Sequence, residues 1–452
     1  MHPLEAISPL DGRYQEKLQQ LAAFFSEMGL MRYRVRVEVE YLIALSATKA
    51  VAELKPLTPK ETRLVRDLYE QFTLTDAQRI KEIESTTKHD VKAIEYFLKE
   101  KLHNTPVESR REFIHFALTS EDVNNIAYSL MWQDAKQAVY LSALQSVIKK
   151  LHEFAWAHRA QPMLSLTHGQ SATPTTVGKE FMVFVERLQR QLDQLDRHAL
   201  LGKFSGATGT WGAQSVALPK FDWKKFSKAF IVSLQLQPNV ITTQIEPHDS
   251  IAEEYHMMSR VNTILIDFCR DLWMYISRGI FAQQRKAGEV GSSAMPHKIN
   301  PIFFENAEGN CGLANAILTH LAEKLPISRM QRDLTDSTVL RNQGVAMGYS
   351  VLALQNIINA MSRVAINPSA LHQELDAHWE VLAEPIQTVL RAKGFNHPYE
   401  MLKELTRGEV IDRTTLHAFI AKLKLPKKDE KRLLQLTPMN YTGLAATLVT
   451  KP

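Results

Sequence analysis

Apolar residues recur through the middle of the chain at the spacing of an α-helix. Val177, Phe181, Phe184, Val185, Leu188, Leu192 and Leu195 are separated by 4, 3, 1, 3, 4 and 3 positions, which lines one face of a helix. Met257, Val261, Ile264, Leu265, Phe268, Leu272, Tyr275 and Ile276 repeat the rhythm. Neither run is broken by proline, and both exceed the mean helix length of about 11–12 residues. Long amphipathic helices bury such stripes against one another as a bundle. Some stripes are too wide for one neighbour, which points to contacts between subunits. Residues 1–118 read as shorter helices, with Pro56 and Pro59 in a loop. Asn367, Pro368 and Ser369 form a helix-start signature, which sets a boundary near 365. The expectation is an all-α protein of three helical domains: 1–118, a central long-helix bundle over 119–365, and 366–452. The basic stretch "LKLPKKDEKRLL" in the tail reads as a solvated face.

Composition adds limits. Gly (18) and Pro (19) are sparse among 452 residues, which favours long uninterrupted elements. Two cysteines, Cys269 and Cys311, make no disulfide framework and lack zinc-ligand spacing. A reducing compartment is the simplest home. No apolar run reaches the roughly 18 residues of a membrane span. The opening "MHPLEAISPLDGRY" lacks a secretory pattern, so the cytoplasm is expected. The net charge of +5 reads either as a mildly basic surface or as a sign of an anionic substrate. No run of five Lys/Arg and no aromatic–basic interleaving points to nucleic acid. HExxH, GxSxG, GxxxxGK[ST] and clustered Cys/His are all missing. A zinc hydrolase, an α/β hydrolase and a P-loop ATPase are therefore disfavoured. Any catalysis would use side chains and backbone donors alone, with no metal or cofactor. Gly206, Gly209 and Gly212 fit neither nucleotide-binding spacing and read as a turn-rich excursion between helices.

Four polar clusters interrupt the helical text. "TSEDVNN", Thr119 to Asn125, has an N-cap followed by acids in the first turn. That reading leaves Asn124 and Asn125 unexplained, because asparagine is a poor helix former without a partner. "THGQSATPTTVGKE", Thr167 to Glu180, sets His168–Gly169 before a turn, with Pro174, Thr175 and Thr176 opening the long helix. A lone histidine is more often structural, but imidazole transfers protons in both directions near neutral pH. "TTKHDVKAIE", Thr86 to Glu95, reads as a helix capped by Thr86 or Thr87, with His89 and Asp90 in its first turn. Helix N-termini attract anions; a capped surface helix is the plainer alternative. "GSSAMPHKINPIFFENAEGN", Gly291 to Asn310, cannot begin as helix, because Pro296 and Pro301 remove donors and restrict their predecessors. Small residues, Lys298 and Asn300 give it the composition of a loop that closes over an anion.

That fourth cluster carries a resemblance. "GSSAMPHKINP" resembles the signature loop GSSxMPxKxNP of the fumarase/aspartase superfamily, whose members release fumarate by β-elimination. Together with "SPLDGRY", "TTKHDVKA", "HFALTSEDVNN", "THGQSATPTT", "TTQIEPHD" and "RDLTDSTVLRN", it makes the chain similar to the adenylosuccinate lyase family of the bacterial purine-synthesis type. The resemblance runs from residue 7 into the C-terminal region. Ser171 departs from it, since proline more often follows HGQ in the family. His297 favours this family over fumarases, which usually carry glycine there.

The resemblance implies a homotetramer of three-domain helical subunits, with each active site shared between subunits. It implies a carbon–nitrogen lyase acting on adenylosuccinate and on the succinylated imidazole-carboxamide ribotide SAICAR. By the same resemblance His168 is the general acid and Ser292 the general base, while Lys298 and Asn300 hold the succinyl carboxylates. Arg13, Tyr14, Arg332, Ser337 and Arg341 bind phosphate. His89 and Asp90 lie at the phosphate and base of the nucleotide. Thr119, Ser120 and Gln244 contact the succinyl and linking groups, and Met295 sits against the ligand. Two alternatives stay open: another fumarate-releasing lyase of the superfamily, such as argininosuccinate lyase or aspartase, and a non-catalytic helical scaffold.

Overall fold

In a computed structural model of the chain, the described residues are 2–284, 288, 295, 298–405 and 411–452. Most of the signature loop, including Ser292 and His297, lies outside them.

The two periodic runs fall on the helices Val177–Arg197 and Asp249–Ser277. Every apolar residue of the first run is buried. So are those of the second as far as Leu272, with Tyr275 and Ile276 half-buried. Two further long helices are Ile302–Lys324 and Gln343–Met361. Gly178 is tolerated in a helical first turn because a neighbouring backbone passes close by: a Cβ there would lie 2.5 Å from the Arg159 Cα.

The chain divides into two units. The first comprises the residues up to Leu144 together with Gln191–Thr263 and Gly309–Ala353. The helix Glu27–Thr48 forms its centre, packed against Pro59–Glu70 and Ser120–Ala135. It begins where the Ser26 hydroxyl accepts the Gly29 N–H at 3.0 Å and ends at Lys49 with φ 57°. Val35, Val37, Tyr41 and Leu42 have no exposed surface, and burying each such side chain contributes about 1.5–3 kcal/mol. A helix covered all round also buries its polar residues, and those require partners. Glu38 accepts the His115 backbone N–H at 3.0 Å and faces its Nδ1 at 2.5 Å.

The second unit comprises Gln145–Arg190, Ile264–Glu308 and Leu354–Pro452. Phe181 from one periodic helix meets Phe268 from the other edge to face, ring centroids 5.7 Å apart. The C-terminal helices close on a core that includes Leu375, Leu382, Ile386, Leu390, Leu416 and Ile420. The helix-start signature is realised at Asn367, whose side chain accepts the Ala370 N–H at 3.2 Å, with Pro368 next.

The protein is mostly helical, as expected. Among the described residues, three small two-stranded sheets depart from a purely helical fold. The longest is an antiparallel hairpin of Pro162–Thr167 with Gln170–Thr176. This corrects the reading of Pro174, Thr175 and Thr176 as a helix opening. They end a strand; the helix starts at Val177, where the Thr176 hydroxyl accepts the Lys179 N–H at 3.2 Å. Proline is accommodated because the register slips between Met163 and Ser165. Thr173 and Pro174 there form a bulge that needs no ladder donor. The glycine-rich excursion includes a short strand, Leu201–Gly202, and a short helix, Gly212–Ala217.

Candidate active site

A cleft of about 300 Å³ in the first unit gathers six of the residues selected from the sequence: His89, Asp90, Ser120, Arg332, Ser337 and Arg341. Two helix starts build one wall. Lys88, with φ 54°, ends the helix Leu74–Thr87, and the next helix, Asp90–Leu102, follows at once. Thr86 and Thr87 therefore close the preceding helix instead of capping this one. His89 is the cap, its Nδ1 accepting the Lys92 N–H at 3.2 Å. Thr119 caps the helix Ser120–Ala135 in a capping box, its own N–H bonding Asp122 Oδ2 at 3.0 Å. Ser120 and Glu121 then fall on the cleft wall.

The cleft is rich in cations, and its three arginines already face carboxylates. Arg34, 4% exposed, donates to Asp90 Oδ2 at 2.7 Å and to Asn124 Oδ1 at 2.9 Å. Burial pushes the Asp90 carboxyl up, yet the Arg34 guanidinium, the Val91 N–H and Arg341 together hold the group below its ordinary value. Arg341 stands 3.7 Å from the same carboxylate and is half exposed. Arg332 lies 3.1 Å from Glu121 and 3.9 Å from Asp336. Glu121 is almost fully buried, and desolvation raises it to about 7 against the pull of Arg332. Arg341 is thus the arginine of this cleft most available to an incoming anion, beside the exposed Lys88.

Asp122 and Asn125 of "TSEDVNN" are architectural. Asp122, fully buried, pairs with buried Lys203 at 2.7 Å and accepts the N–H groups of Ser205 and Gly206 at 2.9 and 3.1 Å. Asn125 grips residue 203 twice, accepting its N–H at 2.8 Å and donating to its carbonyl at 2.9 Å. The glycine-rich excursion is held down by these contacts.

Of the remaining sequence candidates in this unit, Gln244 adjoins the cleft through Arg332. Gln244 Oε1 accepts from Arg332 at 3.4 Å while its amide donates to the Ala207 carbonyl at 3.0 Å. Arg341 also borders a second cleft, of about 370 Å³, lined by Asp11 and Gln15. Arg13 and Tyr14 lie between those two in sequence, the Arg13 guanidinium 5.9 Å from the Tyr14 ring centroid.

In the second unit His168 sits at the exposed tip of the hairpin. His168 and Gly169 both have positive φ, 54° and 73°, which is the two-residue turn that matches strand twist. Lys298 is exposed and donates its backbone N–H to the Met295 carbonyl at 3.0 Å. Met295 is exposed and Asn300 half-buried, just ahead of the helix that opens at Ile302. Ser292 falls outside the described residues. No group of three or more His, Cys, Asp or Glu among the described residues could hold a metal ion.

Arg34, Glu121, Asn124 and Asp336 also line the cleft, and sequence reasoning did not place them there. The unexplained Asn124 was one signal. Arg34 and Glu38, one turn apart among the apolar residues Val35, Val37 and Val39, were another.

Two sequence models of lyase families match the chain: "Lyase" over residues 12–315 and "Adenylosuccinate lyase C-terminal" over 328–442. Among solved structures, the 3-carboxy-cis,cis-muconate lactonizing enzyme of Pseudomonas putida aligns with TM-score 0.74 at 21% identity, covering 95% of each chain. A fumarate lyase from Mesorhizobium sp. BNC1 aligns with TM-score 0.74 at 19% identity, covering 96% of each. These likenesses show the fold, and with the family match they make the chain a member of the fumarase/aspartase lyase superfamily. Within it the relatives are closer. Adenylosuccinate lyase of Haemophilus influenzae is 52% identical over 449 residues, covering 99% of this chain and 98% of the relative. That of Escherichia coli is 51% identical over 447 residues, covering 99% and 98%. That of Dictyostelium discoideum is 49% identical over 459, covering 98% and 97%. The chain belongs to the adenylosuccinate lyase family.

Proposed function

We propose that this protein is a carbon–nitrogen lyase of purine nucleotide biosynthesis that releases fumarate from adenylosuccinate, leaving AMP. It also releases fumarate from SAICAR, leaving the carboxamide ribotide AICAR. The observation that carries the reading is likeness to adenylosuccinate lyases over nearly the whole length of both chains, at about half identity. The cleft of the first unit supports it, since it brings together cations, hydroxyls and a helix start suited to a nucleotide.

The elimination removes a proton from the carbon β to the departing nitrogen and breaks the C–N bond. In this reading Ser292 takes the carbon proton and His168 gives one to the nitrogen. A serine hydroxyl ionises far above neutral pH, so neighbouring donors, Lys298 or a histidine relay must activate it. Lys298 and Asn300 hold the succinyl carboxylates and stabilise the aci-carboxylate that forms. Arg341, with Arg13, Tyr14, Arg332 and Ser337, takes the phosphate; Arg341 can exchange its distant Asp90 contact for a phosphate oxygen. His89, Asp90, Thr119, Ser120, Gln244 and Met295 complete the substrate contacts. Exposed Trp273, Met274 and Leu313 on long helices support a homotetramer with shared sites. The three-domain division at 118 and 365 and a cytoplasmic location, suited to the buried Cys269 and Cys311, belong to the same reading.

Ser292→Ala should lower kcat by about 10²–10⁴, the scale for a positioned acid or base. Lys298→Ala should damage both KM and kcat. Mixing inactive His168→Ala with inactive Ser292→Ala should restore activity if sites are shared. Absence of recovery after verified subunit exchange would remove the shared site, and an active Ser292→Ala enzyme would remove the base.

A further inference from the structure

We propose that Ser171, acting through His378 and Glu380, is a positioning residue for His168. The inference rests on the reading of His168 as the acid.

The hairpin that carries His168 is firmly held only at its base. Met163 and Leu164 are buried, and Leu164 is part of the C-terminal apolar core with Leu375 and Leu382. Every residue from Leu166 to Gln170 is exposed. An unsupported two-stranded ribbon is marginally stable in water, whereas proton transfer needs the acid placed to within a fraction of an ångström.

Ser171 supplies the missing support. It pairs across the ribbon with Leu166, at the foot of the exposed tip. Its Oγ lies 3.0 Å from His378 Nδ1, and that same nitrogen lies 2.7 Å from Glu380 Oε1. An N–H on Nδ1 satisfies both, since it donates to the carboxylate and to the serine hydroxyl oxygen. Glu380 thereby fixes the tautomer and plane of the ring. His378 immediately precedes the turn Trp379–Leu382, whose Trp379 and Leu382 are buried in the C-terminal core. Thr173, farther from the tip, is tied to Glu384, which also accepts from the Tyr441 hydroxyl at 3.0 Å. The Ser171 contact is the nearest of these side-chain ties to His168, and the bulge at Thr173–Pro174 is where the ribbon would bend without it.

The chemistry makes a specific demand. A hydroxyl at 171 and a ring N–H at 378 act as one unit and change the rate only through the residue at 168. The test measures kcat and KM for adenylosuccinate with Ser171→Ala, Ser171→Thr and His168→Gln, and with Ser171→Ala combined with His378→Phe or with His168→Gln. Ser171→Ala should lower kcat by roughly five- to fiftyfold with KM nearly unchanged, short of the roughly hundredfold cost of a 1 Å misplacement. Ser171→Thr, which keeps the hydroxyl, should restore most of the loss. Adding His378→Phe to Ser171→Ala should cost nothing further. Parental kcat in Ser171→Ala would overturn the inference. So would an equal loss from Ser171→Ala in the His168→Gln background, because a positioning residue has nothing to act through there. Near-parental turnover of His168→Gln alone would instead remove the acid, and this inference with it, whatever Ser171→Ala does.

Discussion

Lys203→Met is the most informative stability perturbation in the first unit. Lys203 and Asp122 are both fully buried and 2.7 Å apart. Breaking one side of a buried pair costs about 3–5 kcal/mol, mainly because the other charge is stranded. Asp122 would not be wholly stranded, since it keeps the N–H groups of Thr119, Ser205 and Gly206. The loss should fall at the low end, about 3 kcal/mol. Asp122→Ala should cost more. It leaves the ammonium with the Gly206 carbonyl alone, removes the N3 half of the Thr119 capping box, and leaves the buried Ser205 and Gly206 N–H groups unpaired at about 1–3 kcal/mol each. A total of about 5 kcal/mol or more is expected. Urea unfolding followed by tryptophan fluorescence and far-ultraviolet circular dichroism gives both values where the transitions coincide. Because the capped helix carries Ser120 and Glu121 to the cleft, Asp122→Ala should also raise KM. A loss below about 1 kcal/mol for Lys203→Met, or a smaller loss for Asp122→Ala than for Lys203→Met, would refute the reasoning.

The other predictions are briefer. Arg341→Ala should raise the KM for adenylosuccinate by about 10–100-fold, the worth of a charge-assisted bond, with little change in stability, because its 3.7 Å contact is half exposed. Arg34→Ala should instead unfold at lower urea, since it leaves Asp90 and Asn124 without their buried partner; an unshifted midpoint would contradict this. Hydrogen bonding to Glu254, opposed by burial and aided by Glu253, holds the His198 imidazole above its ordinary value. That stability is fully present below the unfolded value of about 6.5 and is lost as pH rises through the folded one. His198→Gln should therefore flatten the fall of stability above pH 6.5, which urea midpoints across pH would reveal. Gly169→Val should lower kcat, because a β-branched residue strains the turn at φ 73° even though open space surrounds it; parental kcat would show that the turn tolerates the change.

The long helices were legible because a 3.6-residue period sustained over five turns has few alternatives, and Phe181 and Phe268 are buried where that period put them. The helix start at Asn367 was legible because the cap is local. The hairpin was not: its outer residues are polar and exposed, and Pro174 argued against a strand until the bulge accounted for it. Six site residues could be gathered from separate motifs, yet their partners could not. Asp90 and Arg34 are 56 positions apart, and Asp122 and Lys203 are 81 apart. No periodicity encodes such pairs. The division of "TSEDVNN" into Ser120 and Glu121 on the cleft and Asp122 and Asn125 beneath it follows from which helix face meets residues 203–206, a tertiary fact.

The most direct test follows the ultraviolet absorbance of purified protein mixed with adenylosuccinate, with argininosuccinate and aspartate as controls. A change to the spectrum of AMP, with fumarate appearing in equal amount and neither control reacting, is the predicted result. A folded protein that leaves adenylosuccinate and SAICAR untouched, or that releases fumarate from argininosuccinate or aspartate instead, would contradict the account.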